Sequence, residues 1–248
     1  MSTIASDSAG PATSTAPSDA PLSPTPLSPT PRSTPGRHGE RARTDRSELY
    51  AVLDEGMVCH LAVVFDGAPV VLPTCYGRLG DTLYLHGSTG ATSLRGGANS
   101  PVCVTVTLLD GLVYARSVFS HSANYRCAVV HGVPEPVTGE AEKLAALRAI
   151  VENVTPGSWD HARTPTRREL AATSVLALKL TEASVKVRTG PPADGDSDDA
   201  AGPAWAGVLP VHTAFGQPRP CPRLPGDAAV PPHVAARSGS FTPVSSHG

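Results

Sequence analysis

The chain has 248 residues, a formal net charge of −2 at pH 7 and only 4% aromatic residues. That balance supplies no basic field for nucleic acid, and no apolar run approaches the ~20 residues of a membrane-spanning helix. The N-terminus also lacks the charged-then-apolar layout of a secretory signal, so a cytoplasmic protein is expected.

Residues 1–40 are dominated by Pro, Ser, Thr and Ala, with a repeated Leu-Ser-Pro-Thr-Pro pattern, and read as a disordered tail. Residues 41–192 read as one β-rich domain. A helix is predicted over 43–55, with Thr44 as N-cap, an apolar stripe of Leu49, Val52 and Leu53, and Gly56 as the stop. Strands follow over 58–65, 69–76 and 82–86, joined by hairpin signals at Asp66-Gly67 and at residues 78–81. A short helix over 89–98 crosses to a strand over 102–109. Asp110-Gly111 reads as a hairpin turn into a strand over 112–119, and another strand covers 126–137.

The clearest helix spans 139–154, with Leu144, Leu147, Ile150, Val151 and Val154 on one face and Pro156-Gly157 as the stop. A second helix over 165–173 and a last strand over 175–180 complete the domain. The fold class is therefore mainly β with flanking helices, a barrel or a sandwich. An acidic linker over 193–202 precedes an extended arm over 203–235, docked through Trp205, Val208 and Leu209, and the last residues, 236–248, read as a loose tail. Cys59, Cys75, Cys103, Cys127 and Cys221 form no CxxC pair and fall at no metal-ligand spacing. They read as reduced thiols, and no metal site is expected.

The most informative stretch runs from Leu83 through His86-Gly87-Ser88-Thr89-Gly90 to Thr92, Ser93 and Arg95. An apolar strand ends there in a small, hydroxyl-rich turn with a basic residue beyond it. Such a turn lets backbone approach a ligand, and the amides that open a helix favour an anion. His86, Ser88, Thr89, Thr92, Ser93 and Arg95 are thus candidate phosphate donors. A plain strand–turn–helix corner rich in Gly and Ser fits the same residues.

In order, the segments HGSTGATSLR, VCVTVTLLDG, ARSVFSHSANYR and AVVHG resemble the flavin-binding split-barrel superfamily typified by pyridoxamine 5'-phosphate oxidase. They look most like its nitroimidazole-reductase-like branch, and the resemblance covers residues 40–235. It implies an FMN-binding split β-barrel with Greek-key connections, and FMN held across a homodimer interface. The flavin-lining strand of the oxidase matches Val70 to Cys75 here, so Pro73, Thr74 and Cys75 become cofactor contacts. Val70 and Cys75 stand where the oxidase carries arginine and lysine, which removes a cation from that strand. Ala91-Thr92 occupies the place of the phosphate-binding Arg-Lys pair, leaving Arg95, Ser88, Thr92 and Ser93 to take the phosphate.

Leu85 and His86 end the next strand, and Arg126-Cys127 aligns with the segment that reaches the flavin from the partner subunit. His86 is the candidate catalytic group, suited by its pKa to proton delivery, with His121 behind it. The implied activity is an FMN-dependent oxidoreductase that reduces small nitroaromatic or quinone-like acceptors. Because the basic phosphate pair is missing, a deazaflavin or haem is the alternative ligand. A non-catalytic flavin-binding module is the other alternative.

Overall fold

A computed structural model of the chain describes residues 26–27, 30–91 and 96–239. The ladder begins with β1 (Ala42–Arg43), β2 (Val58–Phe65), β3 (Ala68–Leu79) and β4 (Thr82–Ser88). It continues with β5 (Val102–Tyr114), β6 (Ser122–Gly132), β7 (Glu135–Pro136), β8 (Thr173–Lys179), β9 (Glu182–Arg188) and β10 (Gly207–Pro210). The strands are ordered β1-β9-β6-β5-β2-β3-β4-β8-β7, all antiparallel, with β10 beside β5. The non-sequential pairs β2–β5, β4–β8 and β6–β9 are the Greek-key crossings. The fold is a split β-barrel with flanking helices.

The first helix, α1 (Arg46–Glu55), starts two residues past β1, because Asp45 rather than Thr44 accepts from the Ser47 amide at 2.8 Å. The Thr44 carbonyl is taken by the Leu27 amide at 2.8 Å. A ten-residue helix is marginal alone, so packing holds it: Leu49, Val52 and Leu53 are buried in the barrel core, each contributing about 1.5–3 kcal/mol. Tyr76 secures its end, with its hydroxyl 2.6 Å from the Leu53 carbonyl and 2.8 Å from that of Gly56. The second helix, α2 (Glu140–Val154), lies outside β3 and β4. Ala146 and Ile150 pack there on Tyr84, Val137 and Val175. A Cβ on Gly77 would sit 2.4 Å from the Ala149 backbone, so glycine sets how closely α2 approaches β3.

Four sequence expectations change. Asp110-Gly111 is not a turn: β5 runs straight through it, with a register shift between Leu109 and Gly111. At Gly111 a side chain would meet Val208 at 2.9 Å, because β10 pairs there. The strand over 175–180 is not the last, since β9 follows it between β1 and β6. Part of the expected N-terminal tail is placed on the barrel, where Leu27 is buried in the core. Thr30 and Arg32 both donate to Glu182. The acidic linker is pinned by Asp194, which is 2% exposed and accepts from the Arg116 amide and guanidinium.

The arm pairs through β10, and Trp205 meets the Tyr114 ring at 5.8 Å while staying largely exposed. Residues 92–95 of the short helix expected over 89–98 lie outside those described.

Candidate functional site

The barrel splits between β3 and β4. Their pairing is confined to Tyr76↔Leu85, Gly77↔Tyr84, Arg78↔Leu83 and Leu79↔Thr82. Ahead of Tyr76, β3 stays paired to β2 alone, while β4 from His86 to Ser88 pairs only with β8. Pro73, Thr74 and Cys75 therefore line an open strand edge. Backbone groups on such an edge need a partner, and a flat ligand can supply one. Val71 and Leu72, 58% and 38% exposed, add apolar surface beside it.

His86 lies just past the split. Its backbone is fixed by the pairing with Val175, but among the described residues no hydrogen bond fixes its ring. Nδ1 is buried without a hydrogen-bond partner, and burial lowers the pKa of the imidazole. The ring lines a cavity of about 410 Å³ that is open to solvent. Its apolar wall comes from Leu147 and Val151 of α2, then Trp159, Pro165 and Leu170.

Two short helices build the rest: α3 (Ser158–His161) and α4 (Arg167–Ala172). A reciprocal cap starts α4, with Thr166 and Glu169 bonded side chain to backbone in both directions. Arg163 closes the rim by donating to both Glu169 oxygens, at 2.8 and 2.5 Å. That guanidinium, with the Thr166 amide and hydroxyl, holds the Glu169 carboxyl well below the usual range. The cavity is thus apolar inside, with one neutral imidazole and a charged rim.

Three of the expected cofactor residues, Thr92, Ser93 and Arg95, lie outside the described residues. The turn before them has no amides to spare: Gly90 N–H donates to Ser88 Oγ, Ala91 N–H to the Ser88 carbonyl and Thr89 N–H to the Ala172 carbonyl. Ser88 is exposed but already caps that turn. Leu85, expected at the cofactor, is fully buried core, paired to both neighbouring strands. The cause is strand alternation, which points its side chain inward and that of His86 outward.

Arg126, the other candidate phosphate ligand, is not free. It donates to both oxygens of Glu55, at 2.5 and 2.8 Å, and to both of Asp110, at 3.0 and 2.9 Å. Glu55 and Asp110 together push its pKa up. Arg126 and Cys127 sit on β6, which β5 and β2 separate from β3. They are not brought to the split within one chain. His121 Nδ1 accepts from the Ala115 amide at 2.9 Å, a local structural role.

Sequence reasoning missed Trp159, Arg163, Glu169 and Leu170 as cavity residues. The Thr166-to-Glu169 spacing was the available signal for α4. Leu147 and Val151 were legible as an apolar stripe but not as a cavity wall.

A second cavity, about 590 Å³, lies between the end of α1, β5 and the C-terminal arm. Asp54, Glu55 and Asp110 make one wall acidic, and Phe215 and Arg237 of the arm close the other. Among the described residues no helix is long and apolar enough to cross a membrane.

Residues 45–187 match the family model for pyridoxamine 5'-phosphate oxidase. The flavocytochrome Anf3 of Azotobacter vinelandii is 37% identical, with a TM-score of 0.80 over 87% of this chain and 100% of that one. The FAD and haem binding protein of Mycobacterium smegmatis is 40% identical, with a TM-score of 0.76 over 80% of this chain and 98% of that one. A candidate 5-nitroimidazole antibiotic resistance protein of Bacteroides thetaiotaomicron shares the fold at 24% identity and a TM-score of 0.52, over 59% of this chain and 86% of that one. No curated protein matches. The chain belongs to the pyridoxamine 5'-phosphate oxidase family.

Proposed function

We propose that the protein is a flavin-dependent oxidoreductase that passes electrons from a flavin at the β3 edge to a planar acceptor in the His86 cavity. The observation that carries this reading is the split itself: an open strand edge at Pro73–Cys75 adjoins an apolar cavity bearing one unsatisfied imidazole. A bound flavin supplies the hydride and single-electron chemistry. The chain's part is to orient it along the edge, shield it with Val71 and Leu72, and present His86 to the acceptor. With Val70 and Cys75 on β3, that strand places no positive charge at the ring.

The flavin expected from the sequence is FMN. The likeness to a FAD and haem binding protein and to a flavocytochrome, each matched over nearly its whole length, supports a second form of the reading, with FAD as the flavin and haem as a further cofactor.

The reading includes a homodimer. Val58, Val64 and Val71 form part of an exposed outer face on β2 and β3, at 46%, 62% and 58% exposure. Apolar surface of that kind favours a partner. A cytoplasmic setting suits the five unpaired cysteines, one of them exposed.

The test is titration of the purified chain with FMN and FAD, followed by stopped-flow reoxidation of the reduced complex by quinone and nitroaromatic acceptors. Saturable binding of one flavin per chain and fast reoxidation are expected. A folded chain that binds neither flavin contradicts the reading.

A further inference from the structure

We propose that the cavity at the end of β9 binds a phosphoryl dianion, held by Arg188, Arg41 and Arg43. Such a site does not depend on the flavin reading, since it is built on β1 and β9 rather than on the β3 edge.

Arg188 is a buried cation without a counter-charge. It is only 7% exposed, and among the described residues no carboxylate pairs with it. Its Nη1 donates to the side-chain oxygen of Asn124, and Asn124 Nδ2 donates in turn to the Gly190 carbonyl at 3.1 Å. That bridge orients the guanidinium but does not neutralise it. A guanidinium keeps its proton in a protein, and a buried charge ordinarily has a partner. Arg126 shows the ordinary arrangement in the same sheet, bonded to both oxygens of Glu55 and both of Asp110. Asp194, the next acid along the chain from Arg188, is already taken by the Arg116 amide and guanidinium.

The missing charge can come from solvent. Arg188 lines a cavity of about 270 Å³ together with Arg41, Arg43 and Thr189. Pairing of Ala42 with Lys186 and of Arg43 with Val185 lays the start of β1 against the last residues of β9. Burial chiefly, and then the charge of Arg41, lowers the Arg188 pKa. Like charges gathered in this way repel one another and become favourable around an anion. The fork of a guanidinium matches two phosphate oxygens, and the Thr189 hydroxyl can add a donor.

The charge balance selects a dianion. Glu40 is the sole carboxylate among the described residues on the wall. Its side chain is 67% exposed and stands 3.0 Å from His38 Nδ1 and 3.5 Å from Arg41 Nε. Exposed contacts of this kind are weak, so Glu40 can turn away from an incoming anion. Glu48, off the wall, reaches Arg43 Nε at 3.5 Å. The positive excess that remains is met better by a phosphoryl dianion than by a carboxylate.

The experiment titrates orthophosphate into the full chain by calorimetry at constant ionic strength, with acetate as the monoanion control. Arg188→Gln and Arg41→Gln are compared with Arg163→Gln, which removes the same charge elsewhere. Expected is saturable phosphate binding in the wild type, much tighter than acetate. It should weaken about tenfold or more in Arg188→Gln and in Arg41→Gln, and stay unchanged in Arg163→Gln. Arg41→Gln keeps the test open should Arg188→Gln fail to fold. Parallel titrations of FMN against riboflavin and of NADPH against NADH identify the source of the phosphoryl group. A preference for the phosphorylated member that Arg188→Gln or Arg41→Gln abolishes names that nucleotide, and phosphate binding without any such preference leaves inorganic phosphate as the ligand.

A wild type that binds neither orthophosphate nor a nucleotide through its phosphate would overturn the proposal. Unchanged affinity in folded Arg188→Gln and Arg41→Gln would overturn it too, as would an equal loss in Arg163→Gln. Riboflavin binding reports on the flavin reading separately in each case.

Discussion

Asp110 and Arg126 face each other across adjacent strands as a two-point ion pair, with Nε and Nη2 of the arginine 3.0 and 2.9 Å from the two carboxylate oxygens. Glu55 adds a second carboxylate from the end of α1, tying the helix to the barrel wall. Removing one partner of a largely buried pair leaves the other charge stranded. Arg126→Ala should therefore lower the unfolding free energy by about 3 kcal/mol, and Asp110→Asn should destabilise too. Urea melts check this, with flavin affinity read alongside. Loss of flavin affinity with an unchanged melt would mean that Arg126 serves the cofactor.

Gly77 tests how the His86 cavity is held. A methyl group there would collide with backbone of Ala149 and Ile150, at 2.4 and 2.5 Å, and helix backbone cannot rotate aside. Gly77→Ala should destabilise by about 3 kcal/mol, the upper part of the usual overpacking range. It should also push α2, and with it Leu147 and Val151, away from β3. Thermal melts and a crystal structure of the variant would show both effects. An unchanged melting temperature would contradict the packing described.

Much of this framework was legible in the sequence, and the exceptions share a cause. At Asp66-Gly67 both residues adopt positive φ, 49° and 75°, and the dipeptide makes the hairpin turn expected of it. Asp110-Gly111 carries the same local signal, but Asp110 is bonded to Arg126 and Gly111 makes room for β10. The difference comes from segments distant in sequence, which no local pattern reports. Leu27 follows the same rule: it is a lone leucine in the Pro-rich run, and its burial depends on the finished barrel.

His86 was found because it ends an apolar strand with a run of small residues after it. Trp159 and Arg163 lie in or beside a four-residue helix with no periodicity to read, and only the path of the chain after α2 brings them to His86.

Acid should loosen the N-terminal segment. Arg32 chiefly, with Thr30, lowers the Glu182 carboxyl from its ordinary 4.5 to about 2, and His131 acts in the same direction. A lowered carboxylate pKa stabilises the docked state above the ordinary value, and that stabilisation is lost as pH falls through about 2. Protection of the amides over residues 30–34, relative to their intrinsic exchange rates, should fall from pH 4.5 downward, and Glu182→Gln should show the reduced protection already at neutral pH. Equal exchange in the wild type and the variant at neutral pH would remove Glu182 from the docking.

Thr166→Ala should remove the reciprocal cap of α4 at a cost of about 1 kcal/mol. Because α4 carries Glu169 and Leu170, the same change should loosen the cavity rim before it affects the barrel. Proteolysis at residues 160–168, compared with the global melt, separates the two. Equal protection of that segment in the wild type and the variant would show that the cap is dispensable.

The central claim, a flavin redox protein, is met most directly by one measurement: the visible spectrum of the purified chain mixed with FMN or FAD, recorded anaerobically before and after dithionite. The account predicts flavin bands that stay with the protein through gel filtration, bleach on reduction and return on reoxidation. A correctly folded chain that leaves the column colourless after incubation with both flavins would contradict it.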